Sequence, residues 1–531
     1  MQCAFFFSLR RGFLCLRLFS QGFDSGLDKV AVSFMQSDGG LTPAEKFSGY
    51  KAILSGPAGG VVGYALTTSA ETTKPVIGFD MGGTSTDVSR YDGAFEQVTE
   101  TQTAGVTIQA PQLDITTVAA GGGSKLTFRS GTFRVGPESV GSEPGPVCYR
   151  KGGALAVTDA NLLLGRVLPN YFPKIFGPTE DSPLDVDATR AAFDVETERI
   201  NRELGLTETP GATPMTVEEV ALGYIQVANE AMCRPIREIT ESKGYETASH
   251  VLAAFGGAGP QHACAIARAL GMSTVFVHRF CGILSAYGMG LADVVAEAQR
   301  PFAGVYASDN GRGKAAAMAA AAELAAQVMG ELTEQGFGEE ECRTQTLLNM
   351  RYDGTDTAIM IPEPPDGDFA AAFRARFKRE YGFDMKGRDL LIDDVRVRGV
   401  ANSALLRRIP IESAEGGEGS LPEPDSTTSV YFEGGWADTP VYLLQQLLAG
   451  MVIEGPAIVM NGTSTCIIEP LCVAVVTEYG DLKIEVNVSS LPSSAATGED
   501  GAGTDDDDTA LQGPDAVQLS IFNNRFMVWC S

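Results

Sequence analysis

Asp80 and Asp87 bracket a turn of glycines and hydroxyls in the stretch KPVIGFDMGGTSTDVSRYD, and these are the residue types that hold a metal-bridged phosphate. Two carboxylates so placed can order Mg²⁺ through water. Gly82 and Gly83 leave no side chain to keep a phosphate away, and Thr84, Ser85 and Thr86 add hydroxyl donors beside exposed amides. An ordinary glycine hairpin with polar tips has the same composition, so both readings stand at this level. Stepping outward, Pro75 opens a short apolar run, Val76-Ile77-Gly78-Phe79, that predicts a buried strand. Asp87-Val88-Ser89-Arg90-Tyr91 alternates as a returning strand should.

Other residues could also do chemistry. Gly121-Gly122-Gly123-Ser124 follows Pro111-Gln112-Leu113-Asp114-Ile115 and lets backbone approach a ligand, with a β-bulge or crossover as the alternative; Asp114 adds an acid before an apolar strand. His250–Phe255 predicts a buried strand running into Gly256-Gly257-Ala258-Gly259-Pro260, then a helix over 261–270. His262 in that first turn could touch substrate or phosphate, although a lone histidine on an alanine-rich helix is more often structural. Arg234, near the end of a helix over 216–243 that Pro235 interrupts, could meet an anion or form a helix-terminal ion pair. AILSGPAGGVVGYALTT reads as a strand, a Gly-Pro-Ala-Gly-Gly turn able to hold an anion and a helix from about Gly60, or as close helix-to-strand packing. Asp159 reads as a cap neighbour of a short helix.

The net charge of −27 and the 44% hydrophobic content describe a globular chain with an acidic surface, which argues against nucleic acid and anionic membranes as partners. Ten cysteines without CxxC pairs fit thiols in a reducing compartment, and three histidines give no zinc spacing. Residues 1–33 are apolar, arginine-bearing and acid-free before Asp24, as in a mitochondrial transit peptide or an artefactual gene-model segment. Residues 128–149 are rich in Gly and Pro and read as loop. A surface helix is expected over 369–381, a helix around 442–448 inside a β-rich stretch, and a disordered acidic linker over 488–517.

With SGPAGGVVGYA, GFDMGGTSTDVSRYDG, APQLDITTVAAGGGS and AAFGGAGPQHACAIARALG in this order, the chain resembles the hydantoinase A and 5-oxoprolinase family from about Phe34 to Glu485. That resemblance implies an α/β fold of actin-like ATPase lobes, ribonuclease H-like, with a small β-rich C-terminal subdomain. It divides the chain into an ATPase core at 34–300, an α/β extension at 301–411, the subdomain at 426–487 and, at 518–531, the first strand of a hydantoinase B domain. It further implies ATP and Mg²⁺, with Asp80 and Asp87 on the metal and Gly82, Gly83, Thr84 and Thr86 at the phosphates. Gly256, Gly257 and Gly259 fall at the nucleoside, and Asp114, Gly121, Gly122, Gly123, Arg234 and His262 toward the substrate.

The implied reaction is ATP-dependent opening of 5-oxo-L-proline to L-glutamate in glutathione metabolism. A related hydantoinase or ketone carboxylase and an inactive binding module are the alternatives. A hydantoinase B-type domain and a homodimer are the implied partners, and the cytosol the implied location, or mitochondria if residues 1–33 act as a transit peptide. No Gly-Gly-Thr turn follows an acidic strand end upstream of Phe34. The chain is therefore expected to lack the first of the two phosphate hairpins of such ATPases, and to be inactive in isolation.

Overall fold

The computed structural model describes residues 22, 23, 30, 32–98, 101–103, 106–108, 110–402, 408–414, 421–488 and 515–526. Most of the 1–33 segment and of the 488–517 linker lies outside them. Five strands carry the elements that matter: Val76–Met81 (β1), Thr86–Tyr91 (β2), Ile115–Val118 (β3), Val251–Phe255 (β4) and Thr274–Val277 (β5). They lie side by side in the order β3-β2-β1-β4-β5. β1 to β3 form an antiparallel meander, while β1, β4 and β5 are parallel. This mixed order is that of the expected ribonuclease H-like fold.

The apolar runs are long here because both faces of the sheet are covered. All five residues of β4 are buried, as are five of the six in β1. Helices Ser55–Thr67 (α1), Val157–Leu163 (α2), Val217–Ile239 (α3), Gly259–Ala269 (α4) and Leu284–Leu291 (α5) supply the cover. Gly78 meets the ring of Tyr64 from α1, whereas the next residue, Phe79, lies against Gly259 of α4. Successive side chains of a strand point to opposite faces, so the two helices sit on opposite sides of β1.

The β-rich stretch 426–487 divides between two sheets. Leu482–Val486 pairs antiparallel with β5, and Cys472–Val476 and Val452–Glu454 extend the central sheet beyond it. Ser426–Phe432, Gly435–Leu443, Ala457–Asn461 and Ser464–Ile468 form a separate four-stranded sheet. A six-stranded sheet contains Val294–Val305, which runs across position 300, together with Cys342–Tyr352, Leu390–Ala401 and, at one edge, Leu41–Pro43 and Ser33–Met35. Helix Ser308–Glu334 packs on it, with Val328 seated over Gly399.

Several local expectations need correction. The SGPAGG segment is not a strand and turn, because α1 already begins at Ser55 with its proline in the first turn, where the missing N–H costs nothing. Pro235 does not interrupt α3, which continues to Ile239. Burial of Met232, Cys233, Ile236 and Ile239, each worth about 1.5–3 kcal/mol, outweighs the ~3 kcal/mol penalty of an internal proline. The 128–149 stretch is not all loop: Ser124–Arg129 and Thr132–Ser139 make a hairpin, because Phe128 and Phe133 bury edge-on at 5.0 Å. The 442–448 segment ends a strand and holds only a short 3-10 turn. Residues 516–526 form a helix rather than a strand; the helix packs on α3, and its Ser520 accepts from the Phe133 amide at 2.8 Å.

Candidate functional site

The register of the meander sets the site. Asp80 on β1 stands directly opposite Asp87 on β2, and Asp87 directly opposite Thr117 on β3. Directly opposed residues share a face of the sheet with Cβ atoms about 5 Å apart, so two carboxylates are forced together. Neither carboxylate forms an ion pair with Arg, Lys or His among the described residues. Burial, reinforced by the charge of Asp87, pushes the Asp80 carboxyl up to about 7, against the opposing effect of a Ser285 hydrogen bond. Asp87 is also raised by burial, and it accepts from the Thr117 hydroxyl at 2.6 Å.

A charge pair so poorly compensated suits a cation. Among the described residues no group of three or more Cys, His, Asp or Glu is gathered for metal binding. Two carboxylates on a shared face are a donor set of the kind that fits Mg²⁺, which keeps several waters and takes one or two protein carboxylates.

Beyond the acids, the turn closes with the Gly82 amide donating to the Ser85 carbonyl at 3.1 Å. Gly83 is exposed at the tip, and a side chain there would meet open space. The Gly121–Gly123 loop buttresses this turn from behind. The Gly122 amide donates to the Gly82 carbonyl at 3.0 Å and the Gly123 amide to the Gly83 carbonyl at 2.6 Å. A Cβ on Gly121 would lie 2.9 Å from three atoms of the turn. Gly121 and Gly123 are required by backbone-to-backbone contact with the turn, and the Gly122 and Gly123 amides are used in holding the hairpin.

The β4–α4 loop reaches the same point from the other side. Gly256 has φ +80°, and a Cβ there would run into Asp80 Oδ1. The Ala258 amide donates to the Met81 carbonyl at 3.1 Å, which brings the N-terminal turn of α4 beside the acids. Gly259 packs on Phe79, while Gly257 faces the Thr463 carbonyl, 3.9 Å from where a Cβ would be. The structure thus joins Asp80, Asp87, Gly82, Gly83, Thr84 and the Gly256, Gly257 and Gly259 loop in one place.

The remaining expected residues fall elsewhere. Thr86 is fully buried, and its hydroxyl donates to the Ala120 carbonyl at 2.6 Å, so it ties the meander together. Asp114 sits at the far end of β3, paired with Lys243, beside Glu96 and Arg90. At about 3.3 Å per residue, that end lies roughly 10 Å along the strand from the acid pair. His262 is buried at 1% exposure: its Nδ1 meets Asn229 Oδ1 at 2.7 Å and its Nε2 meets Asn161 Nδ2 at 3.1 Å. Burial and the Arg166 charge push it down to about 3, so it stays neutral between the two asparagines. Arg234 is half-buried on α3 without a hydrogen bond or ion pair among the described residues, while its neighbours Glu230 and Arg237 pair at 2.6 Å.

Three residues at the site carried no sequence signal of their own. Ser285 draws the Asp80 carboxyl down against burial, Thr117 bonds Asp87, and Thr463 packs against Gly257 and Gly282. Thr117 could have been found by counting register across the meander. Ser285 and Thr463 come from distant segments and could not.

Comparison with known proteins follows this geometry. Residues 15–298 match the Hydantoinase/oxoprolinase family and residues 306–481 the Hydantoinase/oxoprolinase C-terminal domain. The first match begins inside the 1–33 segment. The chain is 57% identical over 515 residues to 5-oxoprolinase 1 of Arabidopsis thaliana, covering 96% of this chain and 39% of that protein. It is 44% identical over 513 residues to the 5-oxoprolinase of Saccharomyces cerevisiae, covering 95% and 38%. It therefore spans about two fifths of the length of these relatives. Among solved structures, the ATP-dependent caprolactamase from Pseudomonas jessenii superposes with a TM-score of 0.76 at 24% identity, over 91% of this chain and 69% of that one. Nucleotide-free acetone carboxylase superposes at 0.68, also at 24% identity, over 88% and 66%. At that identity the likeness establishes the fold.

Proposed function

Because this chain belongs to the hydantoinase/oxoprolinase family, we propose that it is the phosphate-gripping part of an ATP-dependent cyclic-amide hydrolase acting on 5-oxo-L-proline. The observation that carries the reading is the uncompensated Asp80–Asp87 pair beside a glycine turn, in a chain 57% identical to a 5-oxoprolinase. An unstrained lactam is a poor electrophile. Moving the γ-phosphoryl group of ATP onto its oxygen turns that oxygen into a leaving group, and water can then open the ring. The overall change consumes ATP and water and releases L-glutamate, ADP and phosphate.

Asp80 and Asp87 would hold Mg²⁺, which when bound neutralises phosphate charge. The Gly83 tip and the Thr84 hydroxyl accept close approach of phosphate oxygens, and the Gly121–Gly123 loop keeps the tip rigid. The start of α4 turns the positive end of its dipole toward the same point. Gly256, Gly257 and Gly259 offer the nucleoside a backbone surface free of side chains. Ring opening is assigned to a hydantoinase B-type domain, with a homodimer as the assembly and the cytosol as the location. All seven cysteines among the described residues are free thiols, in keeping with a reducing compartment. No helix among the described residues is long and apolar enough to cross a membrane.

The deciding experiment uses the intact protein and measures 5-oxoproline-dependent release of ADP together with glutamate. Asp80→Asn is expected to lower that rate by at least about a thousandfold. Full retention of coupled activity by the variant would refute the assignment of the acid pair. Competition with hydantoin and with caprolactam separates 5-oxoproline from other cyclic amides, and a bicarbonate requirement would point to ketone carboxylation instead.

A further inference from the structure

The short helix α2, VTDANLL, directs its polar side chains at three other segments of the chain. Asp159 is fully buried and accepts from the amides of Val147, Cys148 and Ala156 at 3.1, 2.8 and 2.9 Å, which pins the backbone leading into the helix. Asn161 meets His262 at the start of α4. Thr158 turns to the glycine loop behind the phosphate hairpin. Its amide and its hydroxyl both donate to the Gly122 carbonyl, each at 2.8 Å. A Cβ on Gly122 would lie 2.9 Å from the Thr158 hydroxyl oxygen, so this close approach needs glycine.

What the contact achieves follows from the geometry of one peptide unit. The Gly122 carbonyl and the Gly123 N–H belong to the same rigid plane and point in opposite directions across it. That N–H donates to the Gly83 carbonyl at 2.6 Å, at the tip of the hairpin. Whatever orients the carbonyl end therefore sets where the tip is held. A carbonyl oxygen carries two lone pairs, so two donors on it fix the plane, whereas one leaves the plane free to swing. The tip needs such a support, because Gly83 has no side chain to pack and Gly121, Gly122 and Gly123 have more backbone freedom to lose than other residues. The support arrives from a helix about 75 residues along the chain from the hairpin, with Asp159 anchoring its base.

We propose that Thr158 is a positioning residue: its hydroxyl orients the Gly122–Gly123 peptide, and through it the Gly83 tip, to receive the phosphate groups of a nucleotide. This inference rests on the reading of the Gly82–Thr84 turn as the phosphate grip. Thr158 acts through two backbone hydrogen bonds in series rather than on the ligand. Loss of its hydroxyl therefore weakens the hold on phosphate and leaves the nucleoside, assigned to the Gly256–Gly259 loop, bound as before.

The test is made on the intact protein with Mg²⁺ and without a cyclic amide, so that nothing turns over. Calorimetry measures ADP affinity and adenosine affinity for the parent, Thr158→Val and Thr158→Ser. The expected result for Thr158→Val is a loss of ADP affinity of about 10-fold, the scale of one lost hydrogen bond, with adenosine affinity unchanged. Thr158→Ser, which keeps the hydroxyl, should bind ADP as the parent does. Unchanged ADP affinity in Thr158→Val, an equal fall for ADP and adenosine, or a serine variant as weak as the valine one overturns the inference alone, since an equal fall marks a packing defect. A parent that binds ADP no more tightly than adenosine overturns the phosphate-grip reading, and the inference with it. Should Thr158→Val not fold, Thr158→Ala takes its place and must show the same selective loss.

Discussion

Asp80→Asn tests the electrostatics of the site through stability, independently of turnover. The Asp80 carboxyl has an ordinary value of 3.8 and is pushed up to about 7, first by burial and then by Asp87. Each pH unit in that interval is worth about 1.4 kcal/mol, so ionising Asp80 in the folded chain without a cation costs about 4 kcal/mol. The sign is fixed by the direction of the shift. The folded state holds the proton more tightly than the unfolded state, so this contribution to stability is complete below pH 3.8 and is lost as pH rises through about 7. Asparagine has nearly the same shape and no charge to desolvate. The variant is therefore expected to melt higher than the parent at pH 8, by the equivalent of up to about 4 kcal/mol, with the gap closing toward pH 4. Thermal unfolding followed by circular dichroism at several pH values measures the gap. Added Mg²⁺ should raise the parent's midpoint and leave the variant's unmoved, since only the parent keeps the pair of carboxylates. A variant that melts lower than the parent at pH 8, or a gap that does not change with pH, would refute the reasoning.

Four further outcomes follow from individual contacts. Gly256→Ala places a Cβ on Asp80 Oδ1 at φ +80°, and is expected to abolish nucleotide binding in a titration and to lower the melting midpoint by the equivalent of more than about 1 kcal/mol. Gly78→Ala drives a methyl into the Tyr64 ring, so an expression and solubility assay should show a loss larger than at any exposed glycine, such as Gly83. His262→Gln should reduce the acid sensitivity of folding: the wild-type ring is pushed down to about 3, so the stability from its neutral form is present above pH 6.5 and drains away as pH falls toward 3. The slope of melting midpoint against pH over that range reads this effect. Asp114→Asn leaves Lys243 with Glu96 as its remaining acid and should cost about 1 kcal/mol of stability without changing nucleotide affinity.

Much of the site was legible in the sequence because it is local. A brief apolar run, an acid, two glycines, three hydroxyl residues and a second acid specify a hairpin, and a hairpin's register follows from its turn. The facing of Asp80 and Asp87 is therefore a property of a dozen consecutive residues. The strand before Gly256 was equally plain, since VLAAF is too short and too apolar to be anything but a buried strand once the glycines stop it. The helix over 369–381 also stands where the periodicity put it.

Reading failed where an element's role depends on what lies across from it. SGPAGG has the composition of an anion-binding turn, and only its contact with α5 shows that the glycines serve a helix crossing. His262 and Asp114 have the chemistry of ligands, but Asn161 and Asn229 enclose the one and Lys243 takes up the other. The 426–487 stretch reads as a self-contained unit, although its last strand bonds to β5 because that edge of the central sheet would otherwise be left unpaired. The sequence by itself determined the identity of the two acids and the hairpin that opposes them, since neighbours along the chain cannot avoid one another. Only the tertiary structure decided how far burial raises those acids, because desolvation depends on segments far apart in the chain, such as the loop at Gly256, meeting them at one point.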